Sequence, residues 1–454
     1  MLKIGWARRS ITPDKPVMLM GQMQVRVSQG VESPVIVTAL ALETDGSGGR
    51  YGEAVIFAAC DLVHITTELL AETRVRLKEL QPDFDVSRFI LHATHTHTSL
   101  VYEDGAYTPP EGSGVMLPGE CLALIAGQAA AAASAAWEAR APGAVARGYG
   151  HAVVGHNRRA CYADGTARMY GATNTPAFNH IEGYEDHGVH LLYLFDDRRR
   201  LTGVVINLAS PSQETENDMT ISADFWHEVR EEVVRRFGEE VYVLPQCAPA
   251  GDQSPHLLLM NKVEEYMRVK RGLTRRQDIA RRIVNAVEDV YSVVKGSASA
   301  ELPLRHCVES LVLPGRVITQ ADYDYALAEL QTVLDQDPRV SWAQRRLRTM
   351  IAQYEAGGVK PDYTAELHVI RLGDVAFATN PFELYLDYAM RIQARSRAEQ
   401  TFLVQLANGV GGYLPSQKAV AKHYSGLAAD NGVGPEGGQL LVERTLELIA
   451  SLWP

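Results

Sequence analysis

The chain has 454 residues, long enough for one large catalytic domain or for two or three ordinary ones. Hydrophobic residues make up 46% of it, as in a packed globular protein. The 44 Lys and Arg residues against 55 Asp and Glu give a formal net charge of -11, with no long run of like charge. This balance excludes the basic footprint that nucleic acid or an anionic membrane would need, so a small-molecule or oligosaccharide substrate is expected.

Apolar strand-like runs alternate with helical patterns along the chain, which predicts an α/β fold with a mixed β-sheet core flanked by helices. The predicted strands are Ala54–Val63, Arg88–Leu91, His190–Phe195, Val204–Leu208, Val241–Leu244, Leu367–Arg371, Val375–Ala378 and Phe402–Leu406. The predicted helices are Glu68–Leu80, a helix after Leu117, Asp224–Arg236, Arg275–Val294, Pro381–Arg395 and Leu440–Leu452, with two charged helices within Gln320–Glu355 broken around Asp337-Pro338.

No repeat or low-complexity linker divides the sequence, so residues 1–454 are predicted to form one domain, with a weak change of composition at 296–302. The five cysteines are odd in number and lack CxxC spacing, which argues against a disulfide framework and a thiolate zinc site. The Ala-rich stretch at 123–139 predicts a buried helix, and the start lacks the apolar core of a signal peptide. A cytoplasmic location without membrane attachment is therefore expected, and a homo-oligomer is compatible with the sequence.

Polar residues that could carry chemistry follow the predicted strands, where side chains of an open α/β sheet converge on one crevice. The segment Thr94-His95-Thr96-His97 follows one such strand. In extended backbone its two imidazoles would point to the same side, and two neutral imidazoles suit zinc. The alternative is a pair of histidines that serve only the surface or the core.

A second candidate lies at a predicted helix start, where Ser222 could be the N-cap and Asp224 and His227 lie three residues apart. A carboxylate and an imidazole so placed could bind a metal together. The alternative is an Asp favoured by the helix dipole beside an ordinary half-buried His.

Three further segments combine glycine or proline with functional side chains after predicted strands. Ser254 lies in a segment that is not the Gly-x-Ser-x-Gly elbow, so an ordinary α/β-hydrolase triad is not expected. Glu383 is predicted in the first turn of a helix, and Tyr413 follows a glycine-rich loop that would let a ligand approach the backbone.

Short motifs follow one another along nearly the whole chain: Ile4-Gly5-Trp6-Ala7, Ile11-Thr12-Pro13, Met20-Gly21, Cys60-Asp61, Thr94-His95-Thr96-His97, Asn157-Arg158, Gly251-Asp252-Gln253-Ser254-Pro255, Asn380-Pro381-Phe382-Glu383 and Gly412-Tyr413. In this order they resemble the catalytic domain of the neutral (alkaline, non-lysosomal) ceramidases. The resemblance implies that fold and a zinc amidohydrolase, with one Zn²⁺ held by two histidines, a glutamate and a tyrosine.

Transferred residue by residue, the resemblance makes His95, Glu383 and Tyr413 metal ligands. It makes Ser254 the nucleophile or a substrate-binding hydroxyl. His97 and Arg158 would then either support the metal ligands or stabilise an oxyanion. Asp252 is counted with the catalytic residues. Zinc would polarise a carbonyl and activate water or serine, and an arginine could stabilise the developing negative charge.

The sequence also departs from the family. The second histidine ligand of the family stands in an Ala-Val-His-Pro context, whereas this chain has Leu208-Ala209-Ser210-Pro211 there, and His227, with Asp224, is the predicted replacement. The stretch after His97 differs as well, and no C-terminal immunoglobulin-like domain is expected. A polar soluble substrate is therefore predicted rather than ceramide in a membrane.

Three functions fit these observations. The first is a metal-dependent hydrolase that cleaves an amide (N-acyl) bond. The second is a glycoside hydrolase or lyase on the same scaffold, with acid and base drawn from Asp224, Asp252, Glu383, His97 and Tyr413. The third is a ligand-binding descendant without metal or turnover.

Overall fold

The computed structural model of the protein describes residues 1–45, 52–336, 342–420, 422 and 425–453. Its first half contains β1 (Leu2–Ser10), β2 (Ile36–Thr44), β3 (Ala54–Cys60), α1 (Thr67–Leu80), β4 (Phe89–Ala93), α2 (Pro118–Glu138), β5 (Ala141–His151), β6 (His156–Asn157), β7 (Arg159–Tyr162), β8 (Ala167–Met169), β9 (Phe178–Ile181), β10 (Gly188–Asp196), β11 (Leu201–Leu208), α3 (Phe225–Phe237) and β12 (Tyr242–Cys247). The second half contains β13 (Gln253–Ser254), α4 (Asn261–Arg271), α5 (Arg275–Val294), β14 (Leu304–Leu313), α6 (Gln320–Gln336), α7 (Trp342–Glu355), β15 (Tyr363–Leu372), β16 (Val375–Thr379), β17 (Phe382–Leu384), α8 (Leu386–Arg395), β18 (Gln400–Val404), β19 (Gly412–Leu414) and α9 (Pro435–Leu452).

The same topology occurs three times along the chain. Each unit has three strands joined antiparallel, then a helix, then a fourth strand that pairs parallel with the third. The units are β1-β2-β3-α1-β4, β5-β10-β11-α3-β12 and β14-β15-β16-α8-β18. The sequence shows no repeat, so the threefold arrangement lies in the topology alone.

The first two units share one eight-stranded sheet, and the third forms a separate four-stranded sheet. The order in the large sheet is β12-β11-β10-β5-β1-β2-β3-β4, and the order in the small one is β14-β15-β16-β18. Both contain parallel and antiparallel neighbours, so the prediction of a mixed sheet flanked by helices is confirmed.

The two sheets pack face to face between two layers of helices. Side chains alternate along a strand, so Val55 and Phe57 of β3 lie in the core between the sheets, where the Phe57 ring is 5.3 Å from that of Phe377. Ile56 and Ala58 point the other way, into the core beneath α1 and α2. Helices α3 and α5 cover the rest of the large sheet, and α8 and α9 cover the outer face of the small one.

Helix α2 is the predicted Ala-rich helix, and it packs on α1, β1 and β2. Of the helices in the described part of the chain, only α2 is long and apolar enough to cross a membrane, judged by length and composition. Half of its most apolar 18-residue window is buried inside the protein. Helices that belong to a soluble core pass the same test. The burial agrees with the prediction of a core helix.

Most predicted element boundaries agree with the structure, but the one at the segment that contains Glu383 does not. The helix predicted at Pro381–Arg395 begins only at Leu386, because residues 382–384 form β17 and pair with β19. The predicted break at Asp337-Pro338 lies outside the described residues. The segment at 296–302 connects α5 to β14 and bonds to the large sheet, where Ser299 pairs with Val145. The single-domain assignment stays a prediction.

Candidate functional site

The carboxyl ends of the parallel strand pairs bring the predicted site residues together. Because the third and fourth strands of each unit run parallel, the segments that follow them leave the sheet at one edge. The histidines follow β4, Ser254 follows β12, and Glu383 follows β16. Each of the three units thus contributes to one cluster.

His95 is fixed by its own backbone and by one ring nitrogen. Its φ is +68°, a left-handed conformation that side-chain-bearing residues seldom adopt. Its N–H donates to the carbonyl of Leu62, and Nδ1 lies 2.7 Å from the carbonyl oxygen of Val63. A carbonyl only accepts, so the proton of the neutral ring lies on Nδ1, and Nε2 presents its lone pair to the cluster.

His97 lies against the same point. Its Nε2 is 3.3 Å from Nε2 of His95, and the two ring centroids are 4.8 Å apart. The two imidazoles do face one point, but not through the extended backbone that was expected, because residues 94–96 lie outside the strand and His95 is left-handed. Burial first, and then the charges of His95 and Arg158, hold the pKa of His97 well below its ordinary value.

Glu383 reaches this cluster from β17. Its Oε2 lies 3.4 Å from Nε2 of His95, and the parallel pairing of β17 with β19 sets Glu383 beside Tyr413. Burial alone would raise the pKa of Glu383, but its interactions with His95, Arg158 and Tyr413 together bring it below its ordinary value. Glu383 therefore carries a negative charge although it is largely buried.

Arg158 closes one side of the cluster. Its guanidinium donates to the hydroxyl of Tyr413 at 3.1 Å, to the hydroxyl of Tyr170 at 3.2 Å and to the carbonyl of Gly251 at 2.9 Å. Burial opposes its charge, but Tyr413, Tyr170 and Glu383 together hold the pKa of Arg158 well above its ordinary value. Arg158 therefore keeps its positive charge although it is buried.

Ser254 is fully buried in β13, and three donors converge on its hydroxyl oxygen. They are the hydroxyl of Tyr170 at 3.0 Å, the backbone N–H of His256 at 3.1 Å and the side-chain amide of Gln213 at 3.4 Å. No carboxylate or imidazole among the described residues accepts the Ser254 proton. This arrangement differs from a serine paired with a histidine base.

Asp252, predicted with the catalytic residues, is turned away from the cluster. One carboxylate oxygen accepts from the side-chain amide of Asn157, and the other accepts from the backbone N–H of Leu386 at the start of α8. Burial raises the pKa of Asp252 above its ordinary value. The carboxylate therefore joins β6 to α8 and has no contact with Ser254 among the described residues.

His227, the predicted replacement ligand, is not brought to the cluster. Burial first lowers the pKa of His227 below its ordinary value, and the charges of Arg230 and Arg276 act in the same direction, against the charge of Glu231. Among the described contacts, none joins His227 to His95 or Glu383. Its intended partner Asp224 caps α3 through one oxygen and binds Thr215 through the other. The Asp224 oxygens are therefore engaged by donors of α3 and Thr215, and His227 as a ligand stays a prediction.

Four residues of the site escaped the sequence interpretation. Gln213 and Tyr170 contact Ser254, and the carboxylate of Glu216 lies 3.5 Å from Nδ1 of His97 and 3.5 Å from Nδ1 of His256. Gln213 lies two residues beyond Leu208-Ala209-Ser210-Pro211, and His256 directly follows the motif that contains Ser254, so their position after a strand was an available signal. Tyr170 and Glu216 had none, because long-range packing alone brings them here.

Some side chains of the cluster are of the types that could hold a zinc ion. The lone pair of His95 Nε2 faces a carboxylate oxygen of Glu383. Both atoms are hydrogen-bond acceptors, so only a cation or a proton between them would satisfy the pair. Imidazole nitrogen, carboxylate oxygen and phenol oxygen all bind zinc. Within the described residues, however, no group of three or more His, Cys, Asp or Glu side chains is arranged around one point as ligands would be.

Comparison with known proteins shows what this architecture resembles. No protein-family model matches the chain, and no curated protein does. Among solved structures, a neutral ceramidase from Pseudomonas aeruginosa matches with a TM-score of 0.70 and 16% identity, over 99% of this chain and 74% of that one. A ceramidase complexed with C2 matches with a TM-score of 0.68 and 14% identity, over 99% and 75% of the two chains. The chain therefore has the neutral ceramidase fold.

Proposed function

We propose that the protein is a metal-dependent hydrolase that cleaves an amide (N-acyl) bond of a polar, soluble substrate. The observation that carries the proposal is the meeting of His95, Glu383, Arg158 and Ser254 at one edge of the two sheets. A metal-ligand pair, a fixed cation and a buried hydroxyl are the groups that polarise and attack a carbonyl. Solved ceramidases share the fold, which supports this reaction class.

The proposed ligands are His95, His97, Glu383 and Tyr413, with His97 in the place first given to His227. Burial keeps His97 neutral, as a metal ligand must be, and its Nε2 already faces that of His95. Two histidines, a glutamate and a tyrosine are also the set that the resemblance implies. Bound zinc would polarise the scissile carbonyl, and Arg158 would stabilise the charge that develops on its oxygen.

The lining of the site supports a polar substrate. Glu216, His256 and Gln213 surround Ser254 and His97, where a ceramide acyl chain would require apolar side chains. The carbohydrate alternative is weaker, because the carboxylates of Asp224 and Asp252 are both occupied by backbone donors. The five cysteines form no disulfide, which supports the further proposal of a cytoplasmic location.

Metal analysis of purified protein tests the ligand assignment. We expect about one zinc ion per chain in the wild type and a loss of most of it in His95→Ala and in Glu383→Ala. His180→Ala removes a histidine from the exposed face of β9 and should keep the metal. Full zinc occupancy in both ligand variants would overturn the assignment.

A substrate panel tests the reaction. The wild-type chain should release free amine from short N-acyl amides and leave acidic oligosaccharides uncut. Cleavage of an oligosaccharide without amine release from any amide would favour the carbohydrate enzyme instead.

A further inference from the structure

The two ring nitrogens of His97 face two different partners. Nε2 lies 3.3 Å from Nε2 of His95, and Nδ1 lies 3.5 Å from a carboxylate oxygen of Glu216. Nδ1 is buried and has no hydrogen-bond partner among the described residues. Only 14% of the Glu216 side chain is exposed, so water and salt screen its charge weakly. The carboxylate therefore acts strongly on the ring nitrogen that it approaches.

The position of one proton decides what the His97 ring can bind. Burial keeps the ring neutral, so only one of its two nitrogens carries a proton. A proton on Nε2 would point at the lone pair of His95 and would leave the Nδ1 lone pair opposed to the carboxylate. A proton on Nδ1 points at the carboxylate and leaves the Nε2 lone pair directed at the cluster. Because a charged acceptor attracts a proton more strongly than a neutral nitrogen does, the carboxylate favours the second tautomer.

A buried arginine holds together the two segments that carry His97 and Glu216. The guanidinium of Arg26 donates to the carbonyl of His97 at 2.5 Å and to that of Asp218, two residues beyond Glu216, at 2.8 Å. Arg26 is only 3% exposed, so this connection lies inside the protein. The second carboxylate oxygen of Glu216 lies 3.5 Å from Nδ1 of His256. The carboxylate is thus fixed between two imidazoles.

We propose that Glu216 is a positioning residue that places the proton of His97 on Nδ1, so that Nε2 is free to bind the metal. The role rests on the proposed function, in which His97 is one of the metal ligands. Imidazole binds zinc through a nitrogen without a proton, and a carboxylate beside the other nitrogen commonly fixes the tautomer and the orientation of the ring. Glu216 approaches His97 at the nitrogen that faces away from His95, so it acts through this ring.

The tautomer of His97 can be measured without metal and without substrate. In zinc-free protein that contains ¹⁵N-labelled histidine, the NMR shifts of the two ring nitrogens report which of them carries the proton. His97→Ala identifies the signals. We expect the wild type to carry the proton on Nδ1. Glu216→Gln keeps the shape of the side chain, but its amide N–H can donate to Nδ1, so the proton should move to Nε2.

Zinc affinity, measured by competition with a chromogenic chelator, is the second readout. Loss of such a carboxylate typically weakens metal binding, so Glu216→Gln should raise the Kd for zinc by about 10- to 100-fold. Glu214→Gln is the matched control, because this neighbouring carboxylate is also buried but pairs with Arg275 at 3.3 Å. None of the described contacts joins the Glu214 side chain to His97. This variant should keep the tautomer and the zinc affinity of the wild type.

The outcomes separate this role from the proposed function. Glu216→Gln with the tautomer and the zinc affinity of the wild type would overturn the role, and so would equal effects in Glu214→Gln. A changed tautomer with unchanged zinc affinity would remove His97 from the metal ligands and overturn it as well. A wild-type chain that binds no zinc would overturn the metal-dependent function, whereas the tautomer of the zinc-free protein would still decide whether Glu216 places the proton.

Discussion

At the scale of single residues, the site depends on backbone conformations that most side chains avoid. His95 and Tyr170 both have positive φ, and each is held by a backbone hydrogen bond that a neighbouring segment accepts. Such conformations cost free energy of order 1–3 kcal/mol each and persist only where the surroundings enforce them. The surrounding contacts therefore hold both residues in backbone conformations that side-chain-bearing residues usually avoid.

Gly21 offers a test of how closely His97 is packed. A Cβ at this position would lie 2.5 Å from Cγ of His97, and the φ of Gly21 is +105°. Gly21→Ala should therefore push the imidazole from its place and cost about 1–2 kcal/mol of folding free energy from backbone strain. We expect a large loss of amide hydrolysis, measured with the unfolding midpoint on the same sample.

Gly165→Ala is the matched control for backbone strain. Gly165 has a φ of +82°, but apart from its chain neighbours no described residue has an atom within 4 Å of where its Cβ would be. The Gly165→Ala variant should lose about as much stability as Gly21→Ala and keep its activity. Parallel loss of activity in both variants would show that strain, and not contact with His97, is responsible.

At the scale of elements, one buried ion pair joins the site to its supporting helix. Both terminal nitrogens of the Arg230 guanidinium on α3 donate to the carboxylate of Asp61, the residue after β3, each at 2.9 Å. Asp61 is fully buried and also accepts from the backbone of Ile36 and from the hydroxyl of Thr94. The loop that carries His95 is thereby fixed to α3.

Arg230→Leu should destabilise the protein by about 3–5 kcal/mol, because it leaves a buried carboxylate without its cation. Activity should fall as well, since the Asp61 carboxylate would rearrange beneath Thr94. Chemical denaturation at neutral pH measures the first effect. Arg235→Leu, on the same helix but with an exposed side chain paired to Glu232, should change stability far less. Equal losses in the two variants would show that the Asp61 pair contributes little.

Local signals predicted the elements that local contacts determine. Helix α5 has the bounds that were expected, because Thr274 and Gln277 form a capping box and one face of the helix is apolar. Residues 382–384 were predicted as part of a helix. They form a strand only because they pair with residues 412–414, and that distant pairing leaves no local signal in the sequence. His95 and Glu383 were singled out by their position after predicted strands, and the resemblance then made them metal ligands, whereas Tyr170 and Glu216 are brought to the site by tertiary packing.

At the scale of the whole molecule, the threefold topology explains why the residues of one site come from three distant parts of the chain. Each unit ends its parallel pair at the same edge, and each contributes different chemistry there: imidazoles, a hydroxyl and a carboxylate. The unit sequences share no period, so the pattern could not be read from the sequence. Substitutions at one edge can therefore change the site while the cores between and outside the sheets remain intact.

Buried neutral histidines make the whole fold sensitive to acid. Burial lowers the pKa of His92 to about 3, that of His306 to about 3 and that of His190 to about 4. In the unfolded chain these rings titrate near pH 6.5, so below that pH the unfolded state binds more protons than the folded state. Their folded pKa values are depressed, so stability is present above pH 6.5 and is lost as the pH falls toward 4 and 3.

His92→Leu isolates one of these contributions. Neither ring nitrogen of His92 has a hydrogen-bond partner in the described part of the chain, and the side chain is fully buried, so an apolar replacement leaves no other described group unsatisfied. Between pH 7.5 and 5.5 the wild type should lose about 1.4 kcal/mol more unfolding free energy than the variant, measured by urea denaturation. Leu91→Ala, the apolar neighbour on β4, should lower stability at both pH values by the same amount. If His92→Leu kept the pH dependence of the wild type, His92 would have to gain its proton inside the folded protein.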